Sequence, residues 1–272
     1  MDLGVATEAF PLNIGLIASY AKKTFGNEID VTLFKYPQDL LEALREGQPH
    51  ILGCSNYTWN CNLSYYFANY AKSLNPNTLV VWGGTNYPFQ SEQQEKLLRK
   101  YSKIDIHIYY EGEVAFTNIV RRVLSDPTLQ KVLQDPIDGC QFISPADNSF
   151  VKGGEVKRIK DLNTIPSPYV SGLLDKFFDG TLTPMMETTR GCPFLCNFCN
   201  AGDTYYNIVG KFSYDYIEEE FSYIARQAKK ANIEGSILAD NNFGMIPRDS
   251  KISQLFFDLK EKYNWPMAVT SC

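Results

Sequence analysis

Apolar positions in this chain follow two rhythms, one repeating every third or fourth residue and one every second, and their succession predicts the elements. Ile14, Ile17, Ala18 and Ala21 share a helical face. Val31 to Tyr36 reads as a strand, and Leu40, Leu41 and Leu44 as a short helix. The compact run His50 to Ser55 suits a strand buried on both faces of a parallel sheet. Leu63, Phe67, Tyr70, Ala71 and Leu74 return to helical spacing. Thr78 to Trp82 is the next strand and ends at Gly83-Gly84. Ile104, Ile106 and Ile108 alternate, which predicts a strand covered on one side. Val114, Phe116, Ile119, Val120 and Val123 form a further helical stripe. Strand–helix units of this length imply a mainly parallel sheet with helices over both faces.

Near Asp135 the pattern changes. CQFI, a turn-rich PADNS and FVKGGEVKRI predict a hairpin, and Pro166 and Pro168 mark an extended linker. Alternation then resumes. Thr183–Thr188, Ser236–Ala239 and Met267–Ser271 read as strands. Ile217, Phe221, Ile224, Ala225 and Ala228 mark one helix, and Ile252 to Leu259 another. The expected organisation is an α/β domain over residues 1–134, hairpin and linker over 135–180, and a second α/β body over 181–272. The first clear element is a helix entered at Pro11, with Leu3 to Thr7 as the one candidate for an earlier strand. The last residues lie in a strand, and an edge strand wants a neighbour, so the chain reads as part of a longer protein.

Charge and composition narrow the class. A formal net charge of -5 argues against a generic polyanion binder, so nucleic acid is not an expected partner. No run of 18 apolar residues occurs and the opening lacks a basic n-region, so neither a membrane span nor a signal peptide is expected. Seven cysteines are too few and too odd for a disulfide framework. A reducing cytoplasm follows as the expected compartment.

Three of those cysteines concentrate the chemistry. TTRGCPFLCNFCN places Cys192, Cys196 and Cys199 in a C-x₃-C-x₂-C array just after a predicted strand. One loop can turn three thiolates toward one centre, and soft ligands suit iron–sulfur chemistry or zinc. Structural zinc wants four ligands, and no fourth is nearby. His50 and His107 both lie in the other half of the chain.

With Arg190-Gly191 before it and Phe198 beside its last cysteine, this array resembles the radical S-adenosylmethionine signature. PLNIGLIASYAKK, GCSNYTW, VVWGG, YYEGE and PSPY extend the resemblance to the cobalamin-binding subgroup of that family. The fold implied is a Rossmann-like cobalamin-binding sheet followed by about half of a radical SAM TIM-like barrel, since only three barrel strands are visible after Thr181. By resemblance, Cys192, Cys196 and Cys199 would hold a [4Fe-4S] cluster that chelates S-adenosylmethionine and cleaves it reductively to a 5'-deoxyadenosyl radical. A reductant such as flavodoxin or ferredoxin and a small-molecule substrate would be the partners.

Other residues take roles from the same resemblance or from their position. Phe198 would flank the adenine, with core packing as the alternative. Gly191 and Pro193 would shape the loop, and Arg190 would either bond it or remain a surface charge. Asp240, Asn241 and Asn242 follow a strand, where polar residues often face a ligand, although an Asx turn at Gly244 competes. Thr270 and Ser271 are further candidates, and Cys272 has none. In the first domain, Gly53, Ser55 and Asn56, then Gly83, Gly84 and Thr85, then Glu111, Gly112 and Glu113 mark three strand ends, where open sheets bind ligands. Cobalamin is the implied ligand, with plain turns and helix capping as alternatives. The Asp-x-His-x-x-Gly loop that ligates cobalt in some cobalamin domains is absent. The function implied is radical SAM chemistry, most concretely cobalamin-dependent methyl transfer. The competing readings are anaerobic ring cyclisation of a porphyrin-type substrate and a non-catalytic metal-binding or regulatory protein.

Overall fold

The structure, a computed structural model, describes residues 8–271. The chain divides into two compact units, residues 20–158 and residues 8–19 together with 159–271. The candidate first strand Leu3–Thr7 and Cys272 lie outside the described residues.

The unit spanning residues 20–158 is built on five strands: β1 (Ile51–Ser55), β2 (Leu79–Gly83), β3 (Ile106–Ile108), β4 (Cys140–Ile143) and β5 (Phe150–Lys152). They lie in sequence order, the first three parallel and the last two antiparallel. Helices α2 (Pro37–Glu46), α3 (Cys61–Leu74), α4 (Ser91–Lys100), α5 (Gly112–Ser125) and α6 (Leu129–Val132) complete it, while α1 (Leu12–Phe25) spans the division between the units in sequence. Strand β2 shows why the apolar runs are continuous. Leu79 and Val81 pack with Ile106, Ile119 and Phe142 on one face, and Val80 and Trp82 pack with Ala68 and Leu98 on the other. Successive side chains point to opposite faces, so a strand covered twice needs apolar residues at every position.

Three sequence expectations change here. Val31 to Tyr36 joins no ladder among the described residues; its pattern serves to bury Leu33. Strand β3 is covered on both sides, because the polar residue between its isoleucines, His107, is itself fully buried. The hairpin is no separate segment. Strand β4 pairs with β3, which draws residues 140–152 into the first sheet.

The second unit carries a parallel sheet of β10 (Ala268–Ser271), β9 (Gly235–Leu238) and β6 (Met185–Met186), in that order, and a two-stranded ribbon of β7 (Thr189–Arg190) and β8 (Gly210–Lys211). Two long helices, α7 (Tyr214–Lys230) and α8 (Arg248–Tyr263), contact each other through rings such as Phe221 and Phe256. Ser213 caps α7 by accepting from the Tyr216 amide. The linker is bound into this unit. The Tyr169 hydroxyl donates to the Met185 carbonyl and accepts from the Met185 amide, so it stands in for a neighbouring strand at β6. Phe10 stacks on Tyr169 and meets Phe177 and Phe178 edge-on.

Candidate functional site

Two sites lie at strand ends, one in each unit. In the first sheet, Ser55 pairs with Gly83 and Gly83 with Ile108, so three strands end level. The loops that follow leave side by side, and this register brings Ser55, Asn56, Gly83, Gly84, Thr85 and Glu111 to one carboxyl edge.

Individual roles there differ from those expected. Gly53 sits within β1, paired to Val81, and a Cβ added to it would meet nothing within 4 Å. Gly84 has a φ of +134°, and a Cβ there would lie 2.6 Å from the Asn56 carbonyl oxygen. Its missing side chain therefore admits the neighbouring loop, not a ligand. Asn56 is spent on the same task. It is fully buried, its amide donates to the Gly83 carbonyl at 2.7 Å, and its side chain bonds Asn86 in both directions. The Ser55 hydroxyl accepts from Asn60, and Thr85 is exposed. Glu111 occupies the N-cap position of α5 without a side-chain cap. One of its oxygens pairs with Arg158 at 2.7 Å, while Oε2 is buried with no hydrogen-bond partner among the described residues.

Beneath the edge lies a polar network that sequence patterning missed. Tyr87 stacks on His107 with ring centroids 3.6 Å apart and donates to Gln141, which in turn donates to Gln94. Gln94 donates to the Pro88 carbonyl, closing the loop after β2. Burial holds His107 down at about 3 and pushes the Tyr87 hydroxyl up. His107 is sealed in, and His50 is exposed at the amino end of β1, so neither histidine stands at the carboxyl edge. The loop after β1 does present aromatic surface, a stacked Tyr57–Trp59 pair with Trp59 48% exposed.

The second site is the loop from Gly191 to Asp203. Gly191, with φ +108°, turns the chain out of β7. Cys192 is buried, while Cys196 and Cys199 are exposed. Among the described residues no three His, Cys, Asp or Glu side chains stand close enough to share one ion, so the thiols are gathered on one loop but do not converge. The donor set nonetheless suits a soft metal centre: three thiols within eight residues, one of them already accepting a hydrogen bond. Phe198 is 89% exposed, which excludes core packing for it.

The DNN turn divides its work. Asp240 is buried, and its carboxylate accepts from the amide and hydroxyl of both Thr188 and Thr189. It braces the strand leading to the cysteines, and its oxygens are already engaged there, contrary to the ligand contact expected of it. Asn241 is exposed, and Asn242 donates its amide to Cys192 Sγ at 3.0 Å. Gly244 does turn the chain, with its amide bonded to Asp249. Arg190 pairs with Glu187 at 2.9 Å. Arg248, unremarkable in sequence, donates to the Thr188 and Phe212 carbonyls. Thr270 and Ser271 are exposed on β10.

Residues 3–120 match the model of the B12 binding domain. That match spans somewhat less than half of the chain. Over 277 residues the chain is 28% identical to a cobalamin-dependent radical SAM methyltransferase, TokK of Streptomyces tokunonensis, covering 95% of this chain and 38% of that protein. It is 26% identical over 166 residues to an anaerobic magnesium-protoporphyrin IX monomethyl ester cyclase of Cereibacter sphaeroides, covering 60% of this chain and 26% of that one. Among solved structures, the radical S-adenosylmethionine methyltransferase TsrM of Kitasatospora setae, with cobalamin and a [4Fe-4S] cluster bound, superposes with a TM-score of 0.66. That match is 14% identical and covers 94% of this chain and 50% of that one, so it speaks for the fold. The chain thus spans between about a quarter and a half of the proteins it resembles. The chain shares the mixed α/β fold of that solved structure. No described helix is long and apolar enough to cross a membrane.

Proposed function

We propose that the chain is the cobalamin-binding and cluster-binding part of a radical SAM methyltransferase. The observation that carries this reading is the pairing of a match to the B12 binding domain with a strand-end loop of three thiols, one held by an amide donor. Cys192, Cys196 and Cys199 would hold a [4Fe-4S] cluster, and the carboxyl edge beside Gly53 and Glu111 would receive cobalamin. When bound, these groups supply the electron that cleaves S-adenosylmethionine and a carrier for the methyl group.

The chain's own residues supply position. Asp240 and Arg248 fix Thr188 and Thr189 ahead of the cysteines, Gly191 sets the exit angle, and the exposed Phe198 ring offers a face for an aromatic ligand such as adenine. At the first site the open face at Gly53 admits a large flat ligand. Glu111 Oε2 offers an acceptor to an amide donor. A small-molecule substrate and a one-electron reductant such as flavodoxin or ferredoxin would complete the system in a reducing compartment. The similarity to the porphyrin-type cyclases supports ring formation as the second reading.

Anaerobic reconstitution with iron, sulfide and hydroxocobalamin tests the proposal. The expected result is a [4Fe-4S] spectrum, lost on Cys196→Ala, with one cobalamin retained per chain after gel filtration. Tight zinc binding with neither cluster nor cobalamin overturns it. Methyl transfer and cyclisation are separated by the products of the longer parent protein.

A further inference from the structure

Cys192 differs from the other two cysteines of its loop in a way that bears on electron transfer. It is buried, and the Asn242 side-chain amide, fifty residues on, donates to its sulfur at 3.0 Å. Cys196 and Cys199 are exposed. The donor is rigidly placed. Asn242 lies two residues past Asp240, whose carboxylate takes hydrogen bonds from the Thr188 and Thr189 amides. Those threonines open the TTRGC segment that ends in Cys192. The same turn therefore locks the cysteine strand and aims an N–H at its first sulfur.

We propose that Asn242 tunes the reduction potential of the iron–sulfur site through this N–H···S bond, as a positioning and electrostatic residue and not as a contact to S-adenosylmethionine. The inference rests on the cluster reading above. A reduced cluster carries one more negative charge, part of it on the ligand sulfurs. A donor pointed at such a sulfur stabilises the reduced form, and hydrogen bonds to sulfur are among the main determinants of cluster potential. The bond also makes the three ligands inequivalent, because one sulfur is shielded and bonded while two face solvent.

The test uses the full chain, reconstituted with iron and sulfide under anaerobic conditions. Asn242→Leu keeps the branched shape and removes the donor; Asn242→Ser keeps a shorter hydroxyl donor. Dithionite titration followed by the reduced-cluster EPR signal gives the midpoint potential. Resonance Raman gives the iron–thiolate stretching frequencies. Asn242→Leu is expected to move the midpoint to more negative potential and raise a thiolate stretch, at unchanged iron content. Asn242→Ser should fall between Leu and wild type. Should Asn242→Leu fail to load, the serine variant carries the comparison alone. Equal potentials and equal stretches across the loaded proteins overturn the inference. Failure of the wild-type chain to form any cluster instead overturns the reading on which it rests.

Discussion

Single residues at the two sites show how similar letters come to do different work. Gly53 lies within β1 and Gly84 just past the end of β2, and of the two only Gly84 is pressed by a neighbour, the Asn56 backbone, at a φ closed to most residues. Gly84→Ala is expected to cost about 2–3 kcal/mol in urea unfolding of the apo protein, with cobalamin uptake lost alongside. Gly53→Ala should leave apo stability within about 1 kcal/mol, since the added methyl meets nothing. If cobalamin lies on that open face, the same substitution weakens its retention on gel filtration. Unchanged retention would move the ligand off Gly53. Asp240 gives a sharper case. Asp240→Ala strips the charged acceptor from two amides and two hydroxyls in a buried setting. A loss on the order of 3 kcal/mol or more is expected in the same unfolding assay, with reduced iron loading. Normal stability would return Asp240 to the ligand-facing role its position first suggested.

At the scale of elements, the readable parts of the sequence are those whose physics is local. The helical stripes and the strands at 51–55 and 79–83 follow from periodicity, and the cysteine loop follows from three letters in one short segment. The burial expected of the first strand does not follow: β1 ends the sheet among the described residues and buries only Leu52, whereas β2, between two neighbours, buries every residue but Gly83. What patterning misses depends on partners far along the chain. Val31 to Tyr36 has the composition of a strand, but composition does not supply a ladder partner. The network through Asn56, Tyr87, Gln94, His107 and Gln141 joins positions up to 54 residues apart, and nothing local to His107 marks it as sealed. Arg248 likewise belongs to no motif in the sequence, and its bonds to the Thr188 and Phe212 carbonyls join positions 60 and 36 residues apart. The linker is the element whose role the fold changes most. Proline spacing predicts an extended tether, whereas Tyr169 is fully buried and bonded to both backbone groups of Met185. Tyr169→Phe removes only that hydroxyl. It should lower stability by about 1–2 kcal/mol and speed hydrogen exchange at Met185 and its β9 neighbours. Exchange unchanged at β6 would show that the strand does not need this bond.

At the scale of the whole chain, one buried group in each unit is expected to couple stability to pH, and the two do so with opposite sign. In the residue 20–158 unit, burial holds the His107 imidazole at about 3, below its ordinary 6.5. An unfolded chain takes up that proton first, so the stability His107 supports is present above pH 6.5 and drains away as pH falls toward 3. In the other unit, Glu220 is buried and accepts from the Ser167 hydroxyl, and burial lifts its carboxyl from 4.5 to about 7. There the folded state holds the proton more tightly. Its contribution is full below pH 4.5 and is lost as pH rises through 7. Glu220→Gln keeps an acceptor for Ser167 and removes the titration. It should exceed wild type by on the order of 3 kcal/mol at pH 8, the gap closing by pH 4.5. His107→Phe keeps a ring for Tyr87 to stack on, and its advantage should instead grow as pH falls from 7 to 4. Calorimetry of the three proteins across this range reads both gaps. Parallel curves for Glu220→Gln and wild type would mean that Glu220 is already ionised and paired within the fold. Parallel curves for His107→Phe would mean that water reaches the imidazole beneath the carboxyl edge, and the polar network there would then be an open pocket and not a sealed support.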